Sequence, residues 1–178
     1  MATHEIEAFK QVITYEGDDP MKIYKNGKVK SMLSTFGDVS EEYTFKQRSP
    51  TDFWFKIELK CTKKLSEADI CMNEIKTQIG FRMEGNLKRQ PSQQGPPTET
   101  GSVEVEIKGK FIFDRKEFQD EGTVADKVVG RIIYEPKQAI YDFCSLNPLK
   151  EKYKKIIVEQ SRKVYEEVKA TFNLQKID

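Results

Sequence analysis

From residue 98 to 117 the chain alternates apolar and polar positions almost without interruption. Val103, Val105, Ile107, Phe111 and Phe113 fall on one side, and Glu104, Glu106, Lys108 and Lys110 on the other. Two earlier stretches repeat the pattern. Phe53, Phe55, Ile57, Leu59 and Cys61 oppose Trp54, Lys56, Glu58, Lys60 and Thr62. Ile75, Thr77, Ile79, Phe81, Met83 and Leu87 oppose Lys76, Gln78, Arg82, Glu84 and Lys88. A period of two over such lengths predicts strands with one buried and one wet face. One-sided burial favours an antiparallel sheet. The apolar residues of the last two strands are odd-numbered, and directly opposed residues share a face. Their partners should therefore add to an even number, as in Phe81 opposite Phe111.

Weaker patterns surround these three. Asn26-Gly27 signals a tight hairpin, because a type I′ turn needs positive φ at both central residues. Strands are therefore expected near 21–25 and 28–35. Further strands are expected at 41–47 and 127–135. The opening segment is ambiguous, since Ile6, Phe9 and Ile13 also fit a helix. Residues 66–74 read as a short helical turn or an irregular lead-in. Residues 90–101, rich in Pro, Gln and Gly, read as a flexible hairpin loop.

The period changes near the C-terminus. Asn147 can cap a helix and Pro148 suits its first position. Leu149, Tyr153, Ile156, Ile157, Val164, Val168 and Phe172 then recur at helical spacing. A core helix is expected over 147–173, with a shorter helical piece around Ala139 to Cys144. Four i,i+4 charge pairs, Lys155–Glu159, Glu159–Lys163, Arg162–Glu166 and Lys163–Glu167, mark its wet side.

A chain of 178 residues is read as one domain, 1–178. Its 30 basic and 29 acidic residues leave a net charge of +1, which gives no long-range pull on nucleic acid or an acidic membrane. Trp54 beside Lys56 could stack bases, but Glu58, Glu84, Glu104 and Glu106 cancel the lysines, so no nucleic-acid partner is expected. No apolar run suggests a signal peptide or a membrane span, and a cytoplasmic protein is expected. Three widely spaced cysteines make neither a disulfide framework nor a metal motif. Cys61 is read as a small buried hydrophobe.

His4 is the sole histidine, placed near a loose N-terminus, which removes Ser-His-Asp, Cys-His and histidine-rich metal sites. No GxGxxG, Walker A or HExxH motif occurs. The acidic stretch 114–122 lacks EF-hand spacing and reads as a solvated turn. No metal and no cofactor are expected, and no catalytic residue is assigned. Carboxylate, lysine or tyrosine chemistry in a pocket stays open, although the balance leans against an enzyme.

The sheet and the helix each have an apolar face, and each is the other's most economical cover. Gly85 and Gly109 on the apolar face favour bulges, coiling and close backbone approach. The fold class is thus α+β: a strongly curved antiparallel sheet of about 6–8 strands, barrel-like, around a long C-terminal helix. Over roughly the last hundred residues, the element order resembles the helix-grip architecture of START and Bet v 1-type lipid-binding domains; a lipocalin-like barrel is a second analogy. That family has two short helices after its first strand, where this chain carries the Asn26-Gly27 signal. The aromatic inner face of Phe55, Phe81, Phe111 and Phe113 supports the reading of an apolar small molecule held between sheet and helix. The residues expected to line that site are Phe55, Ile79, Phe81, Met83, Phe111, Phe113, Tyr153 and Gln160. Gln160, flanked by Ile156, Ile157 and Val164, is read either as a buried amide bonded to a strand backbone group, a hydroxyl such as Thr77 or a buried water, or as the polar contact to the ligand. The competing reading of the same rings is a filled core. The alternative function is a protein-interaction or scaffold module using the outer sheet face or an edge strand, with a homodimer or another protein as partner.

Overall fold

The computed structural model describes residues 2–65, 72–91, 97–115 and 147–174. Among these, five strands form one antiparallel sheet: β1 (Ala2–Asp18), β2 (Asp38–Gln47), β3 (Asp52–Leu65), β4 (Met72–Gln90) and β5 (Thr98–Arg115). Their order is β1-β5-β4-β3-β2, so β1 and β2 are the edges. The expected strand 127–135, the helical piece near Ala139, residues 116–122 of the turn expected at 114–122 and most of 66–74 lie outside the described residues; Asp114 and Arg115 of that turn are instead the end of β5. β4 and β5 pair with the even parity expected, but Phe81 opposes Ile107, and Phe111 opposes Thr77. Pairing extends to Gln90 opposite Thr98, so Gln90 and residues 98–101 of the expected loop are strand.

The ambiguous N-terminal segment is strand β1, and its ambiguity has a physical origin. A bulge between Glu7 and Phe9 inserts an extra residue opposite β5. Before it, His4 and Ile6 face Phe113 and Phe111; after it, Phe9, Ile13 and Tyr15 face Gly109, Val105 and Val103. The face parity of β1 switches at Ala8, which mimics helical spacing. His4 is not in a loose end: its ring stacks on Phe113 at 5.2 Å.

The hairpin expected at Asn26-Gly27 is instead a junction between two helices, α1 (Lys22–Lys25) and α2 (Lys28–Phe36). Gly27 has φ +67°, while Asn26 is right-handed at −73°. One positive φ suits a helix end and falls short of a type I′ turn. The Asn26 side chain instead accepts a bond from the Lys28 N–H at 3.0 Å. Val29 and Leu33, four residues apart, are buried together. The segment after β1 is therefore two short helices rather than the two strands expected there.

The C-terminal helix, α3 (Asn147–Thr171), lies mainly across β5 and β1. Ile157, Ser161, Val164 and Val168 are its buried line, continued by Phe172 just past its end. Gly109 permits the closest approach: a Cβ there would sit 2.3 Å from Ile157 Cγ2 and 2.7 Å from Ser161 Oγ. Of the four expected charge pairs on the wet side, Glu159–Lys163 forms at 2.8 Å. Glu167 is drawn instead to Lys28 of α2, at 3.0 Å. No helix among the described residues is long and apolar enough to cross a membrane.

Candidate functional site

The residues expected to bind a ligand occupy the inner face of the sheet, but not one continuous patch. Phe55, Ile79, Phe81 and Met83 pack in a large cluster with α1, α2, Val164 and Val168 of α3, and Phe172 just beyond it. Phe111 and Phe113 pack in a smaller cluster with Leu65, Ile75 and Ile157, against which Leu149 and Tyr153 lie partly buried. A seam separates the two. On each element it falls at a small or polar residue between apolar ones: Thr77 between Ile75 and Ile79, Gly109 between Ile107 and Phe111, Ser161 between Ile157 and Val164.

Thr77 and Ser161 are fully buried, and their hydroxyls have no hydrogen-bond partner. A buried polar group left unbonded costs about 1–3 kcal/mol; among the described residues Asp114 Oδ1, near the end of β5, is the third such atom. Gln160, expected to supply the polar group, is only partly buried and lies beside the buried line. The wheel places both residues near the broad apolar stripe. The close approach at Gly109, a residue on another element, selects Ser161.

A second feature borders the inner face at the β2 edge. Tyr43 and Phe45 point inward, opposite Ile57 and Phe55, yet remain 49% and 37% exposed. Their rings continue a stack from Tyr24 to Phe53, with successive centroids 6.1, 6.2 and 5.1 Å apart. Arg89 lies 4.9 Å above Phe53 and donates to Glu99 at 2.8 Å. Lys25 ties Glu99 and Asp19 together at 2.6 and 2.7 Å. Burial alone would raise the Glu99 carboxyl, but the bonds from Lys25 and Arg89 outweigh it and hold it below the usual range.

At the other end of the stack the Tyr24 hydroxyl donates to Glu41, which also accepts from Lys30. The bond to Glu41, then burial, pushes the Tyr24 phenol up to about 12. The Lys30 bond, then that from Tyr24, lowers Glu41. By sign, the Tyr24 contribution is full below the phenol's ordinary value of 10.0 and is lost as pH rises through about 12. Ultraviolet titration of the native protein should show a phenolate step near 12 that Tyr24→Phe removes and Glu41→Gln moves down. A Tyr24 step at its ordinary position in the native protein would reject the bond.

The outer face is charge-compensated. Glu58 pairs with Lys56 at 2.7 Å, Arg82 with Glu84 at 2.6 Å, Glu106 with Lys108 at 2.8 Å, and Lys110 with Glu5 at 2.6 Å. Gly80 leaves a hollow of about 190 Å³ among Glu58, Lys60, Arg82, Glu106 and Lys108. Mixed charges on its walls favour neither an anion nor an apolar guest. Trp54 is partly buried on this face, with Lys46 Nζ 5.4 Å above its ring. Cys61 is buried, with its Sγ 3.1 Å from the Leu33 carbonyl, and burial pushes its thiol up to about 11. Such a thiol is packing rather than a nucleophile. No cluster of three or more His, Cys, Asp or Glu positioned for a metal occurs among the described residues.

No family model matches the sequence, and no curated protein matches it. Solved structures similar to it include a putative uncharacterized protein from Rhizobium leguminosarum, 8% identical, covering 75% of this chain and 94% of its own, with TM-score 0.15. Another is the Mll3558 protein from Rhizobium loti, 10% identical, covering 73% and 92%, TM-score 0.16. A START superfamily protein from Mycobacterium smegmatis is 12% identical, covering 77% and 94%, TM-score 0.12. Likeness at these scores carries no argument about function.

Proposed function

We propose that the protein is a non-enzymatic binder of an apolar, lipid-like small molecule, held between the curved sheet and α3. The observation that carries this reading is the buried Thr77–Ser161 pair of unbonded hydroxyls within an otherwise apolar interior. Sites for small apolar ligands combine apolar walls with a few polar groups that fix orientation. A ligand bearing an oxygen or nitrogen acceptor would satisfy hydroxyls that otherwise lower stability. Residues Phe55, Ile79, Phe81 and Met83 would wall it on one side of the seam, with Phe111, Phe113 and Tyr153 on the other, and binding would lift α3 from its contact with Gly109.

Native mass spectrometry of protein purified from cells tests this. The expected result is an added mass corresponding to an apolar molecule. Ser161→Ala and Thr77→Val should each keep the fold, or stabilise it by up to about 1–3 kcal/mol, while retention of that molecule falls. Chains that carry no added mass and do not take up an apolar fluorescent probe such as a naphthalene sulfonate would overturn the reading.

A further inference from the structure

The free edge of β2 has the sequence Glu42-Tyr43-Thr44-Phe45-Lys46. Every residue from Ser40 to Gln47 is exposed, and no described strand pairs with this edge. Pairing with β3 is regular along the whole strand. The other edge, β1, is interrupted by its bulge, a device that spoils a strand as a template. β2 has no such interruption, and its Tyr43 and Phe45 are large exposed hydrophobic side chains, as Ile6 and Val12 are on β1.

We propose that β2 pairs antiparallel with β2 of a second copy, about a two-fold axis at Thr44, joining two sheets into one. A two-fold perpendicular to the sheet keeps inner faces together, so only inner residues can oppose inner ones. Inner and outer positions are fixed by β3: Tyr43 and Phe45 lie opposite Ile57 and Phe55, while Glu42 and Lys46 lie opposite Glu58 and Trp54. Centred on Thr44, the register sets Glu42 against Lys46 twice, Tyr43 against Phe45 twice, and Thr44 against itself. Opposite charges, aromatic pairs and threonine pairs are all favourable across strands.

Neighbouring registers lack this complementarity. Centring on Tyr43 sets Glu41 against Phe45, and centring on Phe45 sets Lys46 against Thr44. The charges involved are available. Glu42 makes no ion pair among the described residues, and Lys46 makes only its contact over Trp54, whereas Glu58, Glu84 and Glu106 on the same face are already paired. A lysine on an edge ordinarily repels a second strand; Glu42 of the other copy cancels that repulsion. This pairing does not depend on whether the interior takes a ligand.

Sedimentation equilibrium of the full chain tests it. The native protein should show a concentration-dependent dimer. Glu42→Lys and Lys46→Glu each place like charges opposite one another twice and should weaken the dimer roughly tenfold or more. The double variant restores opposite pairs in reverse and should return the affinity toward that of the native chain. Oxidation should crosslink Thr44→Cys to its own copy, because directly opposed Cα atoms lie about 5 Å apart. Glu42→Cys should not crosslink, because its copy lies four residues along, roughly 13 Å away and beyond disulfide reach. A native chain that stays monomeric into the millimolar range, a double variant that fails to restore association, or equal crosslinking of the two cysteine variants would each overturn the proposal.

Discussion

A chain ending at residue 146 is expected to unfold or aggregate. The C-terminal segment buries Ile157, Val164 and Val168 of α3 and the following Phe172 to 6% exposure or less, and these residues enter both apolar clusters of the inner sheet face. Each such side chain is worth roughly 1.5–3 kcal/mol, so the four together contribute on the order of 6–12 kcal/mol. That is comparable with the whole stability of an ordinary domain, about 5–15 kcal/mol. The loss also exposes Val105, Ile107, Phe111 and Phe113 of β5, the strand the helix chiefly covers. Solubility and circular dichroism check the result. A truncated chain that stays monomeric and keeps its sheet spectrum would mean that α3 is an appendage.

Gly109→Ala should cost about 1–3 kcal/mol, the range for overpacking a closely packed contact. Its new methyl would sit 2.3 Å from Ile157 Cγ2, on a stiff β-branched side chain that cannot swing aside, and 2.7 Å from Ser161 Oγ. Gly80→Ala is the matched control. It lies on the outer face, where the nearest atom to the new carbon is the Lys108 carbonyl oxygen at 3.9 Å. A surface change of that kind should stay within about 0.5 kcal/mol. Combining Gly109→Ala with Ile157→Ala should cost less than the sum of the two, since the second change removes the atom the first collides with. Equal melting temperatures for Gly109→Ala and Gly80→Ala would show that the helix does not rest on Gly109.

Much of this fold was readable along the chain because its signals are local and repeated. β3, β4 and β5 alternate over ten or more residues each, so their faces, and with them the parity of the β4–β5 pairing, survive any single irregularity. The spacing from Leu149 to Phe172 likewise sets α3 apart, and Cys61 falls on a buried face as its position in β3 requires. One short signal was genuine but incomplete: Asn26-Gly27 does mark a positive φ, at Gly27 alone. A hairpin and a helix junction both use such a glycine, and only the burial of Ile23, Val29 and Leu33 beneath the same helices decides between them.

What remained was settled by neighbours distant in sequence. The switch of face at Ala8 exists only relative to β5, so the spacing of Ile6, Phe9 and Ile13 by itself is as good a helix as a bulged strand. The buried polar position on α3 is Ser161 rather than Gln160 because a residue without a side chain, Gly109, lets the helix descend there. Periodicity determines which side of an element is apolar. It does not determine the point of closest approach between two elements, and that point depends on the shapes of both surfaces once they have met.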